Sequence, residues 1–505
     1  MRTDITIKVN VKKGINLLIS LTFTLLMAAC SDGGGGGGGV NVAFVPSVTT
    51  STVAAGASIP LAVTVSNSAD ISVTWSVREA GGGSVSLTGV YTAPTTPGTY
   101  HVLATSNANT AASATATITV TPLALGSGSS YSGVFVNISS MKNIRSNSTA
   151  TLLATGRVLM AGGLANGGSA TDRAEFFNPE ARAFGHFSSA GSMVKPRAYH
   201  AAAILMNGKV LLSGGIDTNN TPLTSSEIYD PATNTFTATG SMTTPRWMHS
   251  ATLLASGKVL IAGGTSVAPA ASSGIEGNLP LASAEIYDPV TGTFTALNVK
   301  MVQPRYDHTA TLLLNGKLLL SGGQGSSGQK LPDTELFDPV AKSFTSTAGN
   351  MMVDPTADTG RWLFAALLLR DGSVLVDGGD GGFIAGTPSY LSTAQTYNPV
   401  TNRFTDLVGQ MTYARAHHAA AMRVDGNILV VGGIGANVSN PLNIPPADFL
   451  NSAEIFDAGT LGFSLTGNLI TSRANHTTTA LANGKILIAG GNQGGVFLKS
   501  AELYQ

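Results

Sequence analysis

Five histidines occupy one repeated position. His200, His249, His308, His418 and His476 each follow an arginine by three residues, and Ser148 and Phe364 stand there in the two remaining copies. Imidazoles gathered about an axis could ligate a metal, but recurrence in fixed register more simply means one packing problem solved repeatedly. The arginines are Arg145, Arg197, Arg246, Arg305, Arg361, Arg415 and Arg473. An acid recurs likewise at Glu175, Glu227, Glu285, Glu335, Glu454 and Glu502, with Gln395 as the exception. One Arg and one acid per copy reads as a structural ion pair or a backbone-capping set rather than a ligand site. The residues just after the arginine vary: Tyr199, Trp247, Tyr306, Asp307, Trp362 and His417. Aromatics exposed there would stack on sugar rings or anchor a peptide; packed between neighbouring elements they would do neither. No nucleophile or acid–base pair stands out from the repeated background, so the sequence assigns no catalytic residue, no metal ligand and no cofactor.

The elements that carry these residues repeat seven times from Arg145 onward. Each copy has an apolar strand, a tight turn, a second apolar strand and a double glycine, as in Asn207-Gly208-Lys209-Val210-Leu211-Leu212-Ser213-Gly214-Gly215. The double glycines begin at Gly162, Gly214, Gly263, Gly322, Gly378, Gly432 and Gly490, a period of about 55 residues. A third strand such as Ser226-Glu227-Ile228-Tyr229-Asp230 and a fourth around Thr235-Phe236-Thr237 complete the copy. Four antiparallel strands at this period predict an all-β, seven-bladed β-propeller. The last copy stops after its third strand, while Val134 to Ile138 aligns with the fourth strand of the others. An open ring leaves unpaired edges, so strand 134–138 is expected to close a propeller spanning 132–505. The two–three loops are long and dissimilar: Thr265 to Leu281, Gln324 to Pro332, Asp380 to Ser392 and Ile434 to Asn451. Variable loops on a constant scaffold mark the expected recognition face.

Composition narrows the partners. Of 505 residues 43% are hydrophobic, which excludes general disorder. Only 11% are charged, and 28 Lys+Arg cancel 28 Asp+Glu, which argues against nucleic-acid binding by counterion release. The single Cys30 forbids an intramolecular disulfide, a Cys-rich zinc site and an iron–sulfur cluster. Arg2, Lys8, Lys12 and Lys13 precede an apolar run from Ile15 to Met27, the layout of a secretory signal. That run is shorter than the about 20 residues of a spanning helix. Leu26-Met27-Ala28-Ala29-Cys30 resembles a bacterial lipobox. The resemblance implies that residues 1–30 are a lipoprotein signal and that Cys30 is lipidated. Gly33 to Gly39 make 31–40 a flexible tether. Ser31 after the Cys, in place of Asp, implies the outer membrane. The expected localisation is therefore the bacterial cell envelope, with a membrane as partner through the lipid anchor.

Residues 41–122 alternate apolar and polar in short runs, as a small sandwich of two antiparallel sheets would, with Trp75 in its core. Gly89-Val90-Tyr91-Thr92-Ala93-Pro94, followed by Pro97-Gly98-Thr99-Tyr100, is similar to bacterial Ig-like domains, which implies a spacer; 123–131 is a linker. The seven copies resemble kelch repeats, and their style resembles the propeller of galactose-oxidase-like copper-radical oxidases. Arg197-Ala198-Tyr199-His200 resembles a Tyr-His pair that ligates copper there. That family also uses a Cys–Tyr thioether and a His from a domain after the ring, whereas the only Cys here is Cys30 and the chain ends with the ring. Copper-radical chemistry is therefore not expected. A sialate-epimerase-like or other carbohydrate-processing kelch enzyme stays open. The preferred reading is a monomeric surface protein without enzymatic activity whose propeller binds a glycan or a protein, and no nucleic acid.

Overall fold

The computed structural model describes residues 39–505 apart from 45–49, 55–57, 62, 69, 80–81, 87–88, 95–97, 122–131, 270–278, 327, 352–359, 385–386 and 438–447. The signal, Cys30, nearly all of the tether and the linker lie outside the described residues. The chain divides into two units, Met1–Leu123 and Ala124–Gln505.

In the first unit Gly98–Ser106 pairs antiparallel with Ser113–Thr121 on one side and with Val73–Val77 on the other. Thr50–Ala54 adds to Ser113–Thr121 in parallel. This departs from the expected purely antiparallel sheets: a parallel pair needs a long crossover, and the whole stretch between the two strands supplies it. Val42, Phe44, Tyr91, Val102 and Ile118 form the core, with Trp75 half-buried against it and its ring centroid 5.9 Å from that of Phe44.

The second unit is a ring of seven four-stranded antiparallel sheets. Blade two shows the pattern: Ala201–Ile204, Val210–Ser213, Ser226–Asp230 and Thr235–Ala238. Strand two is buried at every residue in all seven blades. Both of its faces meet a neighbouring blade, so it is continuously apolar rather than alternating. Strand one carries small residues, such as Thr149–Leu152 and Ala419–Met422, and is half-buried because it edges the central channel. Inner strands of adjacent blades touch all round the ring, with Thr477–Ala480 of blade seven meeting Thr149–Leu152 of blade one. Blade seven takes its outer strand from the start of the unit, in the register Phe135↔Tyr504, Val136↔Leu503 and Asn137↔Glu502.

Two of the long two–three loops are themselves sheet. In blade five Asp380–Ile384 pairs with Thr387–Tyr390; in blade six Tyr413–Ala416, Ile434–Asn437 and Asp448–Phe449 form a three-stranded sheet. The first glycine of each double glycine is fixed by contact as well as by conformation. Gly214 has φ +60, and a Cβ there would lie 2.3 Å from the Arg246 carbonyl of the next blade and 2.8 Å from the His249 ring. Gly214→Ala should therefore cost about 3 kcal/mol, combining left-handed strain with a backbone clash. A denaturant midpoint unchanged from wild type would contradict this.

Candidate binding site at the channel mouth

A buried polar frame holds the mouth. In blade four Arg305 Nη1 donates to the Gly322 and Asp333 carbonyls (2.8 and 3.0 Å), and Nη2 donates to Glu335 Oε1 (2.8 Å). The Glu335 carboxylate also accepts the backbone N–H groups of Val302 and Gln303 (2.7 and 2.9 Å). The same bidentate use of both side chains recurs in the other blades that carry a Glu, with Arg–Glu distances of 2.7–2.8 Å. These groups are sealed from solvent, so they act as ion pair and backbone cap together rather than as a ligand site.

Blade five relocates the charge. Gln395 replaces the Glu and donates to Asp406 Oδ1 (2.6 Å), while Arg361 turns Nη2 to Thr393 Oγ1 (2.9 Å). The acid reappears as Asp377 at the end of strand two, where it meets His418 Nε2 at 2.7 Å. Burial lowers Arg361 to about 10, and the charges of Asp377 and Asp406 oppose that shift.

The repeated histidines pack rather than converge. Each ring lies over the first glycine of the preceding blade's pair, and Phe364 fills the same place over Gly322. His200 Nε2 is 3.0 Å from Thr149 Oγ1, and His249 Nε2 is 3.0 Å from Ser213 Oγ. Burial, then the charges of Arg197 and Arg145, lower His200 to about 3, so it is neutral in the fold. Among the described residues no three His, Cys, Asp or Glu side chains gather as a metal-binding group. The sign for stability follows. Below pH 6.5 the unfolded chain binds a proton that native His200 refuses, so its contribution is complete above 6.5 and declines as pH falls towards 3. The slope is up to about 1.4 kcal/mol per pH unit. His200→Phe, the residue nature uses in blade five, should flatten the fall in denaturant midpoint between pH 6 and pH 4. Parallel curves for variant and wild type would contradict this.

The variable residues after the arginine belong to two registers with different fates. Those directly after it pair with the residue following the double glycine, as in Trp247↔Thr265, Tyr306↔Gln324 and Trp362↔Asp380. Trp247, Tyr306 and Trp362 are 2%, 1% and 7% exposed. They are packed between blades and do not offer open ring faces: Trp247 Nε1 donates to the Val267 carbonyl (2.9 Å), and the Tyr306 hydroxyl bonds Gln324 Oε1. Lys330 Nζ sits 4.3 Å over the Trp362 ring.

Residues two after the arginine form the mouth. Asn147, Tyr199, Met248, Asp307, Leu363, His417 and Asn475 all have φ between +52 and +56 and are half-buried. Their backbones chain around the axis: Asn147 N donates to Asn475 O, Tyr199 N to Asn147 O, Met248 N to Tyr199 O and Asp307 N to Met248 O. His417 N donates to Leu363 O and Asn475 N to His417 O. Between blades four and five a side-chain bond spans the ring, from Trp362 Nε1 to Asp307 Oδ2 (2.8 Å). His417 Nδ1 is 2.8 Å from Asn475 Oδ1, and Asn147 Nδ2 donates to the Tyr199 hydroxyl (3.3 Å). Burial pushes the Asp307 carboxyl up to about 6 against the pull of the indole N–H. Burial and then the Asp307 charge push Tyr199 up to about 12, and Met248, between the two on the ring, bonds to the backbone of both. Of the six sequence candidates, Tyr199, Asp307 and His417 are therefore brought together here. Asn147, Met248, Leu363 and Asn475 complete the set; their fixed offset of two from each arginine was the available signal.

Comparison with known proteins agrees with this architecture. Residues 197–243 match the kelch motif. The structure is similar to a fungal alcohol oxidase of the AA5 family in complex with copper, at 18% identity and a TM-score of 0.55, covering 74% of this chain and 75% of that one. The ring folds as a kelch propeller. YjhT is similar at 17% identity and a TM-score of 0.45, over 61% of this chain and 94% of that chain. No curated protein matches the sequence. In this kelch propeller the position two after each arginine combines one left-handed backbone conformation with varying, half-buried side chains.

Proposed function

We propose that this protein is a lipid-anchored envelope protein that binds a glycan at the mouth of its propeller, with the N-terminal unit as an Ig-like spacer. The observation that carries the reading is the mouth ring. Seven backbones are held alike, yet their side chains supply amide, imidazole, phenol and carboxylate groups side by side, the donor and acceptor mixture that orients sugar hydroxyls. A glycan array probed with the full chain should retain a defined set of oligosaccharides, and His417→Ala with Asn475→Ala should release them. Retention unaffected by that pair would sink the site, and an empty array alongside a protein captured from envelope extracts would favour a protein partner. Cys30→Ser should shift the protein out of the membrane fraction, because acylation supplies the bilayer affinity. A second reading, a carbohydrate-processing enzyme, rests on Asp307, a mouth carboxyl that bonds the Trp362 indole and that burial pushes up to about 6, towards the range of a general acid–base. Turnover of a reducing sugar that is lost in Asp307→Asn would favour it.

A further inference from the structure

The charge on Asp307 serves nothing within the fold. Its left-handed backbone suits Asn as well as Asp, and Asn147 and Asn475 fill the same position in blades one and seven. The Trp362 indole N–H that reaches Oδ2 would be accepted equally by an amide oxygen. No ion pair engages Asp307 among the described residues; Lys330 Nζ lies 4.3 Å over the Trp362 ring. Met248 and Leu363 flank Asp307 on the ring and give no compensating charge. A half-buried carboxylate without a cation is costly unless something from outside neutralises it. The rest of the ring indicates what that partner would also carry, since the arcs Asn147–Tyr199 and His417–Asn475 are half-buried polar pairs, each already bonded within itself, whose remaining hydrogen-bonding capacity suits hydroxyl groups.

We infer that the mouth recognises an amino sugar, its ammonium on the Asp307 carboxylate and its hydroxyls on the two polar arcs. The inference rests on the glycan-binding reading and narrows it to sugars with a free amine. N-acetylation removes the positive charge and the ion pair while keeping the ring and its hydroxyls, which makes it the discriminating change.

The experiment is calorimetric titration of the full chain at pH 7 with a glucosamine oligosaccharide and with its fully N-acetylated counterpart. The free-amine oligomer should bind at least about ten-fold tighter, the usual margin of a charge-assisted over a neutral hydrogen bond. Asp307→Asn should erase that preference. Asp457→Asn, in a three–four turn at the other end of the blades, should keep it, which separates the mouth from general attraction to acids. Equal affinity of the two oligomers for the wild-type chain, or a preference that survives in Asp307→Asn, overturns the inference. If array glycans are still retained in either case, the broader reading stands; if no glycan is retained at all, it falls as well.

Discussion

Deleting residues 1–141 should unfold the propeller or lower its stability by about 5 kcal/mol, whereas deleting residues 1–125 should leave its melting temperature unchanged. The difference lies in a short strand and its anchor. Phe135–Asn137 pairs with Ala501–Tyr504 as the outer strand of blade seven, and the rings of Phe135 and Tyr504 lie 5.0 Å apart. Val134 and Gln505 exchange backbone bonds, and Met141 N donates to the Lys499 carbonyl. Phe135 and Met141 are buried against blades six, seven and one. Removing them forfeits the burial of two large apolar side chains, about 2–3 kcal/mol each, and leaves a row of unpaired edge groups on Ala501–Tyr504. Because this strand closes the ring between its first and last blades, the loss is felt around the whole circle. Equal melting temperatures for the two deletions would mean that blade seven is stable with three strands.

The second large effect concerns the buried frame. Glu227→Gln should cost about 3 kcal/mol, since it leaves Arg197 charged and sealed from water with only neutral partners. Blade five indicates the remedy. There Gln395 is accommodated because Asp377 supplies the charge from strand two, beside His418. Blade two has Ser213 at that position and His249 in front of it. Adding Ser213→Asp to Glu227→Gln should therefore recover at least half of the loss, as read from guanidinium unfolding midpoints. A double variant less stable than Glu227→Gln alone would show that the two blades do not share one electrostatic solution.

The blade was legible because its period, turn residues and double glycines repeat, and each has a local physical cause. Gly214, for example, stands where any side chain would strike the next blade. The Arg and Glu series were legible as a frame for the same reason. The mouth was only half legible. Trp247, Tyr306 and Trp362 look from their chemistry like ligand platforms, yet their position directly after the arginine pairs them with the residue after the double glycine and buries them. Asn147 and Asn475 look inert, yet the left-handed backbone one position later brings them to the axis. A single step along the chain decides between core and mouth, and residue type alone does not report that step. The parallel strand Thr50–Ala54 was likewise hidden, because pairing direction depends on a partner 67 residues away.

The measurement that tests the account most directly is amide hydrogen exchange of the full chain with and without an oligosaccharide returned by the array. Protection should concentrate at the backbone ring, on the amides of Asn147, Tyr199, Asp307, His417 and Asn475, and should spare the one–two turns at Asn207-Gly208 and Asn315-Gly316. Protection confined to those turns, or to residues 41–121, would place the ligand elsewhere and contradict the assignment of the mouth.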